Sequence, residues 1–182
     1  MSADSGIEIR VAGLADAARL SSLAAEIWHQ CYSEIISTSQ IDYMLEQRFG
    51  ENRLCTDLAG NKRRYWIVEM GSVPIAYGSL SLKLDAGSVK LEQLYVHASV
   101  RRMGIGRTLL DTLLAESKRL GALSVWLTVN RHNGAAIEFY LRTGFVKTGT
   151  KVTSIGNGFV MNDFVMKKQL ENKNREKSVS HE

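Results

Sequence analysis

Arg101-Arg102-Met103-Gly104-Ile105-Gly106-Arg107 joins a strand pattern over Val89–His97 to a helical pattern over Gly104–Leu120. The helical run sets Leu109, Leu110, Leu113 and Leu114 on one face. Glycines let a backbone come close to a ligand and adopt positive φ. The start of a helix offers unpaired N–H groups and a partial positive charge. Together these make an anion site, and three arginines within the seven residues strengthen it. The expected ligand carries a pyrophosphate.

Two common nucleotide loops do not fit. A dinucleotide fingerprint needs a third glycine where Leu109 stands, and an acidic residue about 20 positions on; no Asp or Glu lies between Glu116 and Glu138. A Walker loop needs Gly-Lys-Ser/Thr, which does not follow. A glycine-rich helix start with no ligand is the plain alternative. The arginines and the strand-to-helix position speak against it.

Outward from this loop the chain alternates strand and helix signals. Ile7–Val11 predicts a first strand, and Leu20, Leu23, Ala24, Ile27 and Trp28 give one apolar helix face. Ile41–Phe49 predicts a second helix and Asn52–Leu58 a short third turn. Tyr65–Met70 and Ile75–Leu82 read as strands joined at Gly71-Ser72-Val73-Pro74. After the loop and its helix, Leu123–Val129 predicts a strand and Asn133–Arg142 a helix with Gly144 at its C-terminal cap. Phe145–Lys151 and Phe159–Lys167 close the series as strands. The order predicts a mixed α/β (α+β) chain with one central sheet. The middle hairpin strands would be antiparallel, and the strand–helix–strand unit from Val89 to Val129 implies a parallel pair.

Arg101-x-x-Gly104-x-Gly106 after an apolar strand, followed by Asn133-x-x-Ala136-x-x-Phe139-Tyr140-x-x-x-Gly144-Phe145, resembles the acyl-CoA motifs of the GNAT acetyltransferases. The resemblance spans residues 7–168 and implies the GNAT fold: a mostly antiparallel mixed sheet of about seven strands, flanked by helices and splayed at the fourth strand. It implies acetyl-CoA as cosubstrate, with its pantetheine arm bonded by the backbone of Leu94, Tyr95 and Val96. Arg101, Arg102, Met103, Gly104, Ile105, Gly106 and Arg107 would wrap the pyrophosphate. Asn133 would touch the cofactor arm, although Asn is also a preferred helix N-cap. Tyr140 aligns with the family's tyrosine beside the thioester sulfur and would protonate the departing thiolate, against the plainer role of an aromatic core residue.

Glu92 precedes Arg101 by nine residues, the spacing of a general-base glutamate in spermidine/spermine acetyltransferases. Strand periodicity places it on one face with Leu94 and Val96, where an acid among apolar neighbours should have a raised pKa. An amine of pKa about 10.4 needs roughly 4 to 5 kcal/mol to free its lone pair at neutral pH, so a base there would help. Ammonium binding and a structural ion pair are the alternatives for Glu92.

Three blocks resemble the bacterial PaiA-type spermidine/spermine acetyltransferases more closely: Glu26-Ile27-Trp28-His29-Gln30-Cys31-Tyr32, Leu91–Val96, and Met161-Asn162-Asp163-Phe164-Val165-Met166. Residues 26–57 hold six acids, Glu26, Glu34, Asp42, Glu46, Glu51 and Asp57, against Arg48 and Arg53. In this fold the first helices border the acceptor groove, so a polycationic amine would suit that charge. Ribosomal-protein alanine acetyltransferases are the main rival; they carry a glutamate where Thr128 stands in Leu127-Thr128-Val129. A non-catalytic acyl-CoA-binding regulator would lack proton-transfer groups, whereas Glu92 and Tyr140 are present.

Composition bounds the rest. The chain has 182 residues, 45% hydrophobic and 23% charged, and one proline, Pro74. That suits one globular domain over 1–168, with a polar tail over 169–182 expected to fray. No apolar run is long enough for a membrane span and Met1–Arg10 has no signal-peptide pattern, so a soluble cytoplasmic protein is expected. Cys31 and Cys55 give neither a disulfide framework nor a zinc site, and no metal is expected. Residues 1–84 carry eight Lys/Arg against ten Asp/Glu, and residues 85–182 carry fifteen against nine. The basic half centres on the cofactor loop, so nucleic acid is not the expected partner; a small amine is. The resemblance also allows a homodimer.

Overall fold

The computed structural model describes residues 6–171. Strand β1 (Ile7–Val11) leads through a turn into helices α1 (Ala17–Tyr32), α2 (Thr38–Phe49) and α3 (Glu51–Ala59). Strands β2 (Arg63–Met70), β3 (Val73–Ser81) and β4 (Ser88–Val96) follow, then α4 (Ile105–Arg119), β5 (Ser124–Asn130), α5 (Gly134–Arg142), β6 (Val146–Gly156) and β7 (Phe159–Gln169). They form one seven-stranded sheet in the order β1-β2-β3-β4-β5-β7-β6. Every neighbouring pair is antiparallel except β4 and β5.

Each face of the sheet carries its own core. Leu109, Leu110 and Leu113 of α4 pack with Val89, Leu91, Val125 and Leu127 on one face, joined by Tyr140 and Phe145. Leu20, Ile27 and Trp28 of α1 pack with Ile41, Phe49, Ile67 and Tyr77 on the other. The apolar faces read from the helical spacing are the faces these helices bury.

The parallel pair decides the site. β4 and β5 pair only at Ser88–Lys90 with Ser124–Trp126. Beyond that rung β4 stays with β3 as far as Val96, and β5 stays with β7 as far as Asn130. The sheet therefore opens between its fourth and fifth strands. Lys90 closes the last rung: its Nζ lies 5.3 Å from the centre of the Trp126 ring and 2.6 Å from Glu92 Oε2.

Two local features depart from the sequence expectation. β4 bulges where its pairing with β3 shifts from Ser79–Gln93 to Leu80–Leu91. Glu92 is the extra residue, and a bulge interrupts the two-residue alternation. Glu92 consequently lies beside Lys90, while Leu94 and Val96 pack toward α4. The expectation that these three share a face is corrected on that ground. β6 runs to Gly156, past the expected Lys151. It is an edge strand with most residues exposed, so its sequence carries no apolar alternation to mark its end. The chain also stays within the fold past residue 168: Gln169 ends β7 and Leu170 is buried. The rest of the expected tail, 172–182, lies outside the described residues.

Candidate active site

A cavity of about 660 Å³ fills the split, within the usual range for a small-molecule site. Leu91–Val96 of β4 form one wall, and Leu127, Thr128 and Val129 of β5 the other. The start of α4 closes one end.

The loop before α4 takes left-handed backbone at two positions, Arg102 (φ 66°) and Gly104 (φ 81°). Such a conformation is sterically costly for arginine, and strain of this kind gathers at functional sites. Arg101, Arg102, Gly104, Ile105, Gly106 and Arg107 all line the cavity. Met103 is in the same loop but is 56% exposed and does not join the lining. Gly106 has ordinary helical backbone; its absent side chain matters for space. A Cβ there would meet Val96 Cγ2 at 3.4 Å and the Phe139 ring at 3.8 Å. Arg101 donates to Cys31 Sγ at 3.2 Å, and Arg107 pairs with Asp111 at 3.0 Å. The start of α4, with its unpaired N–H groups, and the three arginines of its loop and first turn thus lie at one end of the cleft.

Asn133 caps α5, its Oδ1 accepting from the Ala136 N–H at 3.2 Å, and also lines the cavity. Capping and facing the cleft are therefore compatible. Tyr140 is 7% exposed and is held edge-on between Phe139 and Phe145, each ring centre 5.4 Å away. Burial pushes its hydroxyl above the ordinary tyrosine pKa, helped by nearby Tyr32. The group is fully protonated near neutral pH and lines the cleft.

Glu92 lines the cavity too, but its surroundings are ionic rather than apolar. Lys90 Nζ is 2.6 Å from its Oε2 and Arg63 is 3.8 Å away. The bulge turned it out of the apolar face assumed for it.

The sheet face toward α1 supplies residues given no role from the sequence. Tyr32, at the end of α1, lines the cavity and shares a 3.0 Å hydrogen bond with Tyr95. Gln93 accepts from the Ser79 hydroxyl at 2.9 Å, while its Nε2 is buried without a partner. Tyr32 and Asp163 stand inside the two quoted outer blocks; a single tyrosine or aspartate there gives no local signal of convergence.

The acids expected at the acceptor groove are placed elsewhere. None of the six lines the cavity. Asp42 is 61% exposed beside His29, and Glu26 is 64% exposed beside His97. Asp57 is tied to Arg53 and Arg63. Among the described residues no group of three His, Cys, Asp or Glu is placed to hold a metal, and no helix is long and apolar enough to cross a membrane.

The family model described as Acetyltransferase (GNAT) family matches residues 22–145. The chain belongs to this family. It is 27% identical over 167 residues to a spermidine N(1)-acetyltransferase from Thermoplasma acidophilum, covering 91% of this chain and 98% of that one. The crystal structure of the PaiA N-acetyltransferase from Thermoplasma acidophilum in complex with coenzyme A superposes with a TM-score of 0.77 at 25% identity, over 91% of this chain and 99% of that one. A ribosomal protein bS18 alanine N-acetyltransferase from Escherichia coli is 28% identical over 108 residues, which is 57% of this chain and 71% of that one. As a GNAT acetyltransferase the chain has its family's mixed sheet, with the opening between β4 and β5 where the resemblance implied it.

Proposed function

We propose that this enzyme transfers an acetyl group from acetyl-CoA to a primary amine, with spermidine or spermine as the acceptor. The observation that carries the acetyl-CoA half is the cleft itself. It has a helix start and three arginines at one end and an unpaired strand edge along one wall. Pantetheine is a chain of amides, so the open edge of β4 at Leu94, Tyr95 and Val96 suits it. The loop from Arg101 to Arg107 suits its pyrophosphate, with Gly104 and Gly106 giving close approach.

The amine nitrogen attacks the thioester carbonyl carbon. A C–N bond forms, the C–S bond breaks, and one proton leaves the nitrogen. Glu92, the carboxylate on the cavity wall, accepts that proton directly or through water. Tyr140 donates its O–H toward the sulfur as negative charge develops there. Because burial makes Tyr140 a weaker acid than usual, its main contribution is a hydrogen bond to the nascent thiolate.

The polyamine acceptor is supported by the Thermoplasma relative, a spermidine N(1)-acetyltransferase whose likeness covers 91% of this chain. The acids of residues 26–57 do not add support: none lines the cleft, Asp42 and Glu26 stand in solvent beside histidines, and Asp57 is tied to Arg53 and Arg63. A peptide N-terminus is the second reading, favoured by the alanine acetyltransferase relative. Thr128 on the β5 wall has no proton-accepting carboxylate to serve that reading.

Thiol release from acetyl-CoA, followed with spermidine, spermine, monoamines and an alanyl peptide, tests this. Release with polyamines at lower KM than with monoamines or the peptide is expected. Release with peptides alone overturns the acceptor assignment.

A further inference from the structure

We propose that Asp163 binds the acceptor's ammonium group directly, making β7 part of the acceptor site. This rests on the amine acetylation proposed above.

Three acidic side chains are buried among the described residues: Asp16, Glu69 and Asp163. Asp16 lies 2.7 Å from Arg10, and Glu69 lies 2.8 Å from Arg10 with Arg19 also bound. Asp163 is 9% exposed and has no cation within ion-pair distance. Its Oδ1 is sealed from solvent without any hydrogen-bond partner, which leaves Oδ2 as the oxygen open to an incoming group. A buried carboxylate with no bonded partner is expensive to keep. A fold that satisfies its other buried acids so fully has a use for this one.

Its position indicates the use. Asp163 pairs across the sheet with Asn130, the last residue of β5, at the open end of the split. Cross-strand partners share a face, and Met161 two residues earlier packs in the core beneath α1 and α2. Asp163 therefore faces the side from which Tyr32 lines the cavity, set back from the residues that form the cavity wall. Its carboxylate lies near enough to Tyr32 to help raise the pKa of that hydroxyl. Burial raises the Asp163 carboxyl, while Arg48 of α2, Lys151 of β6 and Lys90 of β4 oppose that rise. None of these cations makes an ion pair with it: Lys151 is its register partner on β6, Lys90 is held by Glu92, and Arg48 lies over the Trp28 ring at 5.8 Å. They favour a carboxylate that is charged and free to pair. The chemistry that completes such a group is a compact cation with several N–H donors, which describes a primary ammonium.

The test is steady-state kinetics of Asp163→Asn and Asp163→Glu with spermidine, alongside calorimetric acetyl-CoA binding and thermal unfolding. Asn keeps the shape and removes the charge. The proposal expects KM for spermidine to rise about tenfold or more, acetyl-CoA affinity to stay unchanged, and the unfolding midpoint not to fall. Asp163→Glu should recover part of the lost KM. An unchanged KM overturns the proposal. So does a lowered midpoint, a parallel loss of acetyl-CoA affinity, or an Asn variant that does not fold, since each marks a structural residue. If the unaltered enzyme acetylates no amine, the amine reading fails and this proposal with it. If it does and KM is unmoved, only this proposal fails.

Discussion

Tyr140 is fixed by packing, not by hydrogen bonds: Phe139 and Phe145 hold its ring and burial keeps its proton on. Tyr140→Phe therefore leaves the aromatic cluster in place and removes only the O–H. It should lower kcat by roughly 10²-fold or more while acetyl-CoA binding, measured by calorimetry, persists. An undiminished kcat would assign thiolate stabilisation to water or another group. Tyr140 and Asn133 were legible because both sit in one local block with fixed spacing. Glu92 was legible as a cavity residue, but its neighbours were not. One bulged position reverses which face a strand side chain takes, and no residue type marks that bulge here. Tyr32 and Gln93 come from two separate elements, and their meeting at the cavity exists only after folding.

At the scale of elements, the corner between β1 and α1 is held by charge. Arg10 of β1 grips Asp16 through two hydrogen bonds of 2.7 and 2.8 Å and also reaches Glu69 of β2. The Arg10 guanidinium, with the Gly13 N–H, holds the Asp16 carboxyl at about 2, against an ordinary 3.8. A carboxyl whose folded pKa lies below its unfolded one stabilises the fold fully above the unfolded value. That stabilisation, about 2 kcal/mol here, should disappear as pH falls from about 4 to about 2. Urea unfolding from pH 7 down to pH 2 should show this loss, and Asp16→Asn should be less stable at pH 7 with a shallower acid limb. An identical pH slope in the variant would contradict it. Element order was legible because α1, α4 and α5 bury apolar faces and β5 carries Val125, Trp126, Leu127 and Val129. β6 was legible only in part, as an exposed edge strand has no buried face to pattern it.

Across the whole molecule, the charge asymmetry resolves into one functional end and several solvated faces. Arg101, Arg102 and Arg107 of the second half stand at the α4 start, whereas the described acids of the first half lie outside the cleft. Two short blocks in the right order sufficed to foresee the opened sheet, because each marks an edge of the same cleft. On the acceptor side the quoted block around Asp163 names no role for it, and the role proposed for Asp163 rests on its burial and position in the fold.

The central claim is that the opening between β4 and β5 holds acetyl-CoA, and Gly106 tests it without touching a charged or reactive group. An added Cβ would sit in ordinary contact with Val96 Cγ2 at 3.4 Å, so Gly106→Val should fold, with its two methyl groups in the cleft that Gly106, Val96 and Phe139 line. Calorimetric titration of acetyl-CoA into the unaltered enzyme should show one site per chain. The same titration into folded Gly106→Val should show that affinity abolished. Equal affinity in a folded variant would contradict the account.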